Sequence, residues 1–210
     1  MTPARRARVR LAAALATRDV VRVEAALREA AAAAAPHEID EVLLQSHLFV
    51  GYPDALRAFQ LWQRWRSGPP PAAEPLAEEA AAERGAAVCA VVYGETVARL
   101  RAQVAGLHPD LERWMVAVSY GRVLGRPGLP LAERELCVAA LLAVWGAPAQ
   151  LYAHLRGALR AGATPTEVEA VLRAIDDLLD PVARAEAWGV WGRLRARRGA
   201  PAGERLQDVS

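Results

Sequence analysis

Neither lysine nor asparagine occurs anywhere in the 210 residues, so all 26 basic side chains are arginine. Both missing residue types have adenine-rich codons, and a GC-rich coding sequence accounts for their loss and for the alanine runs. The arginines are offset by 24 acidic residues, leaving a net charge of +2 spread along the chain. That excludes the massed cationic face a nucleic-acid partner requires. Cysteine is scarce. Cys89 and Cys137 stand far apart, which excludes a Cys-x-x-Cys dithiol and a zinc cluster and fits reduced thiols in a cytoplasm. No apolar run reaches the ~20 residues of a membrane-spanning helix, and no membrane partner is expected. The arginines before Leu11 imitate a secretory leader, but the apolar stretch Leu11 to Ala16 is short and runs into Arg18-Asp19, as in an amphipathic first helix. Alternating β-branched stretches are missing too, so the fold class expected is all-α.

What is present is helical spacing bounded by Gly and Pro. After Asp19, Val20, Val23 and Leu27 recur at helical intervals, and Pro36 opens a second stripe of Ile39, Val42, Leu43 and Leu48-Phe49. Gly51-Tyr52-Pro53 breaks that run. "SGPPPAAEPL" is the strongest breaker and divides the chain at about residue 70. This gives an N-terminal helical half-repeat (1–69), a main region (70–198) and a frayed tail (199–210), read together as one compact unit. "PDLERWMVAVSYGRVLG" reads as ordinary α-helix. "LAERELCVAALLAVWG" is apolar on nearly every side and is expected to be buried all round. Gly146-Ala147-Pro148 turns the chain into "AQLYAHLRGALRAG", and Thr164-Pro165 with Glu167 is a capping-box helix start.

There is an internal echo. "LREAAAAAAPHEIDEVL" (27–43) lies beside "LRGALRAGATPTEVEAVL" (155–172), each a long helix, a break and an acidic-start helix. Two diverged copies of one helical unit account for it; the alternative is that alanine-rich helices look alike by composition. The copies differ at Ala26 against His154, and at "FVGYP" against "LLDPV".

Residues 107–172 resemble the carboxymuconolactone decarboxylase family in the order Arg134-Glu135-Leu136, Gln150-Leu151, His154 and Gly162, and 38–59 resemble a second segment of it. The resemblance implies an alkylhydroperoxidase-D-like helical bundle that assembles as a homo-oligomer and works without metal or organic cofactor on a small carboxylated or lactone substrate. The redox branch of that superfamily carries Cys-x-x-Cys just before the histidine. Here the matching places are Ala147 and Gln150, which disfavours a dithiol peroxidase.

Helical geometry supports a Glu135–His154 pair. If 131–145 and 147–162 form an antiparallel hairpin, the axial offset at ~1.5 Å per residue is roughly 6 Å, within reach directly or through one water. A carboxylate beside imidazole fixes its tautomer and favours the protonated ring. Loss of carbon dioxide leaves a dienolate that needs a proton on carbon, so His154 is the expected proton donor and Glu135 its orienting partner. Arg134 and Arg156 are the candidates for a substrate carboxylate, and Gln150 lies one turn before His154. His47 and Tyr52 join the site if the Gly51-Tyr52-Pro53 segment packs on the His154 helix, making a composite pocket. His108 is expected at a helix start and His37 in solvent. The alternatives are a non-catalytic oligomeric module and a thiol peroxidase relying on Cys137. A lone helical histidine is also commonly structural, and Glu135 in a first turn serves the helix dipole.

Overall fold

The computed structural model describes residues 1–199. Among them run α1 (Pro3–Ala16), α2 (Val20–Ala33), α3 (Pro36–Trp62), α4 (Glu78–Tyr93), α5 (Val97–Leu107), α6 (Pro109–Trp114), α7 (Leu131–Trp145), α8 (Pro148–Arg160), α9 (Pro165–Ala174) and α10 (Pro181–Gly199), with no strand. The frayed tail expected over 199–210 lies, apart from Gly199 at the end of α10, outside the described residues. No described helix is long and apolar enough to cross a membrane.

The echo corresponds to two alike helical units. α1 and α2 form one hairpin of 14 and 14 residues, α7 and α8 another of 15 and 13. Each is followed by a helix with proline in its first turn and a glutamate at its third position, Glu38 in α3 and Glu167 in α9, bonding back to the cap. α1 and α7 pack side by side at the centre. α3 carries its break where the sequence places it, with Gly51 at φ 79° and Pro53 restarting the helix; only glycine holds that backbone without strain.

α7 is buried all round, as its composition predicts, and its first turns hold three consecutive charged residues that leave the helix about 100° apart. Each finds a different neighbour. Glu133 is clasped by Arg5 and Arg8 of α1, Arg134 reaches Glu41 of α3 at 2.8 Å, and Glu135 faces α8. The breaker at 66–77 is non-helical but tied down: Arg84 and Arg126 both bond Glu74, and Arg122 donates to the Leu76 carbonyl.

One element departs from the periodicity. The segment read as ordinary α-helix from Pro109 starts as α6 but widens into a π-helix over Met115–Leu124. It crosses α4 with backbones in direct contact: a Cβ at Gly85 would sit 1.9 Å from the Val116 carbonyl oxygen, and one at Gly121 2.0 Å from that of Ala81. Tertiary contact of this kind is invisible to residue spacing, and π segments gather at functional sites.

Candidate functional site

Gly146, at φ 67°, caps α7 in the left-handed conformation and reverses the chain into α8. The hairpin sets the His154 imidazole against the Glu135 carboxylate, with Nδ1 2.9 Å from Oε2 across 19 residues of sequence. A carboxylate only accepts, so the Nδ1–H donates and Nε2 is left for other chemistry when the ring is neutral. Glu135 is 0 % exposed, while His154 keeps 9 % of its side-chain surface accessible. Of the pair, only the histidine reaches the surface.

The surroundings come from both helical units. Phe49, just before the α3 break, sets its ring edge-on to His154 at 6.1 Å between centroids. Gly157, one turn beyond His154, leaves room for the carboxylate: a Cβ there would lie 2.6 Å from Glu135 Oε2 and 2.7 Å from Val92 Cγ1. On the α4 side, the Tyr93 and Tyr120 hydroxyls are 2.5 Å apart and both rings are buried. Burial pushes Tyr93 up to about 12 and Tyr120 well above the phenol range, and the charge of Glu135 adds to both. Oε1 of Glu135 is buried with no hydrogen-bond partner.

A model of the carboxymuconolactone decarboxylase family matches residues 109–191. Over this region the chain is similar to that family. The match takes in the π-helix, both members of the Glu135–His154 pair, α9 and the first half of α10. No curated protein matches the chain.

Within the region that resembles the carboxymuconolactone decarboxylase family the arginine candidates separate. Arg134, expected at a substrate carboxylate, is corrected by its surroundings. It is 0 % exposed and its guanidinium is spent on Glu41, Gln45 and the carbonyls of Arg126, Pro127 and Leu129, so it braces the loop before α7. Arg156 is different. It is half-buried, donates to Thr96 Oγ1 at 3.1 Å and lies over the Tyr152 ring, while its Nε is buried without a partner. Burial, then the neighbouring Arg160, lowers its pKa, which marks a cation short of counter-charge. Gln150 is exposed in the first turn of α8.

The rings of His47 and Tyr52 meet at a tilt of 55°, 5.3 Å between centroids, and Tyr52 is 69 % exposed. The segment of the first unit that touches His154 does so through Phe49. His108 caps α6 by accepting from the Asp110 N–H, and His37 is exposed, both as the sequence predicts. The residues that sequence reasoning missed are Phe49, Tyr93, Tyr120 and Gly157. Only Gly157 left a signal, a glycine one turn after the histidine.

The peroxidase alternative meets a physical obstacle. Cys137 and Cys89 are both fully buried, and burial pushes each thiol up to about 12, far from the thiolate that peroxide chemistry requires. Among the described residues, no group of three or more His, Cys, Asp or Glu is placed to hold a metal ion.

Proposed function

We propose that this chain is a cofactor-free lyase acting on a small carboxylated or lactone substrate, with His154 as the catalytic acid. The observation that carries the reading is the buried 2.9 Å bond between His154 Nδ1 and Glu135 Oε2. A general acid must be fixed in tautomer and orientation, and a carboxylate shielded from water does both. Arg156, a half-buried cation with an unpartnered Nε, supports binding of a substrate carboxylate by charge-assisted bonds. The carbon–carbon bond to the departing carboxylate breaks heterolytically, carbon dioxide leaves, and its electron pair stays in the dienolate. The imidazolium N–H then donates its proton to carbon, and water restores the ring. The two cysteines, unpaired and buried, support a cytoplasmic setting.

The test is carbon dioxide release from a panel of carboxylated lactones and β-keto acids. Wild type is expected to turn over at least one of them, and His154→Ala to lose about 10²- to 10⁴-fold in kcat, the worth of a positioned general acid. Turnover indifferent to the substitution removes the acid role. No binding at all transfers the weight to a non-catalytic scaffold.

The same reading includes a homo-oligomer. Leu111, Trp114 and Val118 lie exposed along one line of α6 and the π-helix, an apolar stripe that a second copy would cover. Light scattering is expected to give a multiple of the chain mass, reduced by Trp114→Glu; a monomer at micromolar concentration overturns the assembly.

A further inference from the structure

The buried polar groups around Glu135 do not balance. In the Tyr93–Tyr120 contact one hydroxyl donates to the other, so the accepting tyrosine keeps an O–H proton that the pair does not use. Both rings are buried, where an unspent donor is costly. Oε1 of Glu135 is the converse case, a carboxylate oxygen on a fully buried side chain with no donor. A surplus donor and an orphaned acceptor therefore occur in one region of the interior.

The geometry ties them together. Val92, adjacent to Tyr93 on α4, presents Cγ1 to the point beside Gly157 that the Glu135 carboxylate also approaches, at 2.7 and 2.6 Å. The end of α4 thus packs against the carboxylate. Arg160 holds this end in place by donating to the Tyr93 and Val92 carbonyls. Tyr120 arrives from the π-helix, whose widened turns allow the close crossing with α4. The other titratable groups here are the Cys89 thiol, neutral and buried, and Arg156.

We infer that the Tyr93–Tyr120 pair and Glu135 Oε1 frame a site for one hydroxyl-type oxygen, which accepts the spare tyrosine proton and donates its own to Oε1. The tyrosines are then positioning residues. By completing the solvation of the Glu135 carboxylate they fix its orientation, and so fix the imidazole that donates to its Oε2. The oxygen is either water or a hydroxyl or protonated carboxyl of a bound substrate, since each both accepts and donates. The inference rests on the Glu135–His154 pair of the proposed function but not on any turnover.

The experiment reads the ring nitrogens of His154 by ¹⁵N NMR at pH 7 in the full chain, for wild type, Tyr93→Phe and Tyr120→Phe. Each variant keeps the ring and removes only the hydroxyl. Loss of one hydrogen bond to the carboxylate is expected to weaken its hold on the ring about tenfold and to move the His154 Nδ1 signal; a purely packing role leaves that signal unchanged. Wild-type signals retained in both variants overturn the proposal. Should Tyr120→Phe fail to fold, the wild-type crystal structure decides in its place, because Tyr93→Phe leaves the Tyr120 hydroxyl free to donate.

A crystal structure of the substrate-free protein separates the two sources. An ordered water on Oε1 and a tyrosine oxygen identifies water, and an empty but polar gap that fills on soaking a carboxylated lactone identifies substrate. Carbon atoms packed directly on Oε1 overturn the site. An NMR change without turnover leaves the tyrosine role standing and the substrate class refuted, whereas turnover without an NMR change does the reverse.

Discussion

Gly121→Ala is expected to destabilise the protein by about 3 kcal/mol or more, among the largest effects a single methyl can have. The added Cβ would sit 2.0 Å from the Ala81 carbonyl oxygen and 2.8 Å from its carbon. Both are backbone atoms of α4, so no side chain can swing aside, and the π-helix and α4 must separate along their whole crossing. Gly85→Ala makes the mirror-image clash, 1.9 Å from the Val116 carbonyl oxygen, and is expected to cost as much. For a chain of this size each kcal/mol lowers Tm by roughly 2–4 °C, so calorimetry should show a fall of about 6–12 °C. Gly106→Ala and Gly192→Ala are the controls. Both are helical with open space around the would-be Cβ, and alanine there is expected to add about 0.5–1 kcal/mol. Equal effects at Gly121 and Gly106 would show that the crossing is looser than described.

Arg134→Ala is expected to cost about 3–5 kcal/mol, because removing one partner leaves a buried charge uncompensated. The guanidinium is fully enclosed, pairs with Glu41 at 2.8 Å, and donates to three carbonyls of the loop before α7. Its loss leaves Glu41 with Arg126 alone and those carbonyls without their donor. Arg57→Ala, on an exposed arginine, is expected to stay within about 0.5 kcal/mol. Denaturant unfolding of the two variants checks the contrast. Parity between them would return Arg134 to the pool of cations free to bind substrate.

The α7–α8 hairpin was legible because its signals are local: Gly146 past the last apolar residue, Pro148 at the first helical position, and a rise per residue that brings Glu135 opposite His154. The contact is direct, at 2.9 Å. The role assigned to Arg134 was not legible, because the carboxylate that claims it, Glu41, lies 93 residues earlier in the chain. An arginine beside a site carboxylate looks the same on paper whether it is spent or free. Tyr93 and Tyr120 were missed for the same reason. Their pairing spans 27 residues and depends on a π-helix whose winding is set by contact with α4. The Gly51-Tyr52-Pro53 segment points to Tyr52, yet the kink at Gly51 leaves Tyr52 largely in solvent while Phe49 meets the histidine.

The three consecutive charges of α7 also bear on how such a chain is inherited. Residues 109–191 carry the family likeness, yet Glu133 is neutralised by Arg5 and Arg8, and Arg134 by Glu41, all outside that segment. Moved into another protein as a cassette, the segment would bring two buried charges whose counterparts stay behind, along with a histidine stripped of the Phe49 ring. Recombination at the edge of the recognisable segment is thus penalised. α1–α3 thus complete the surroundings of the Glu135–His154 pair although they hold neither member of it.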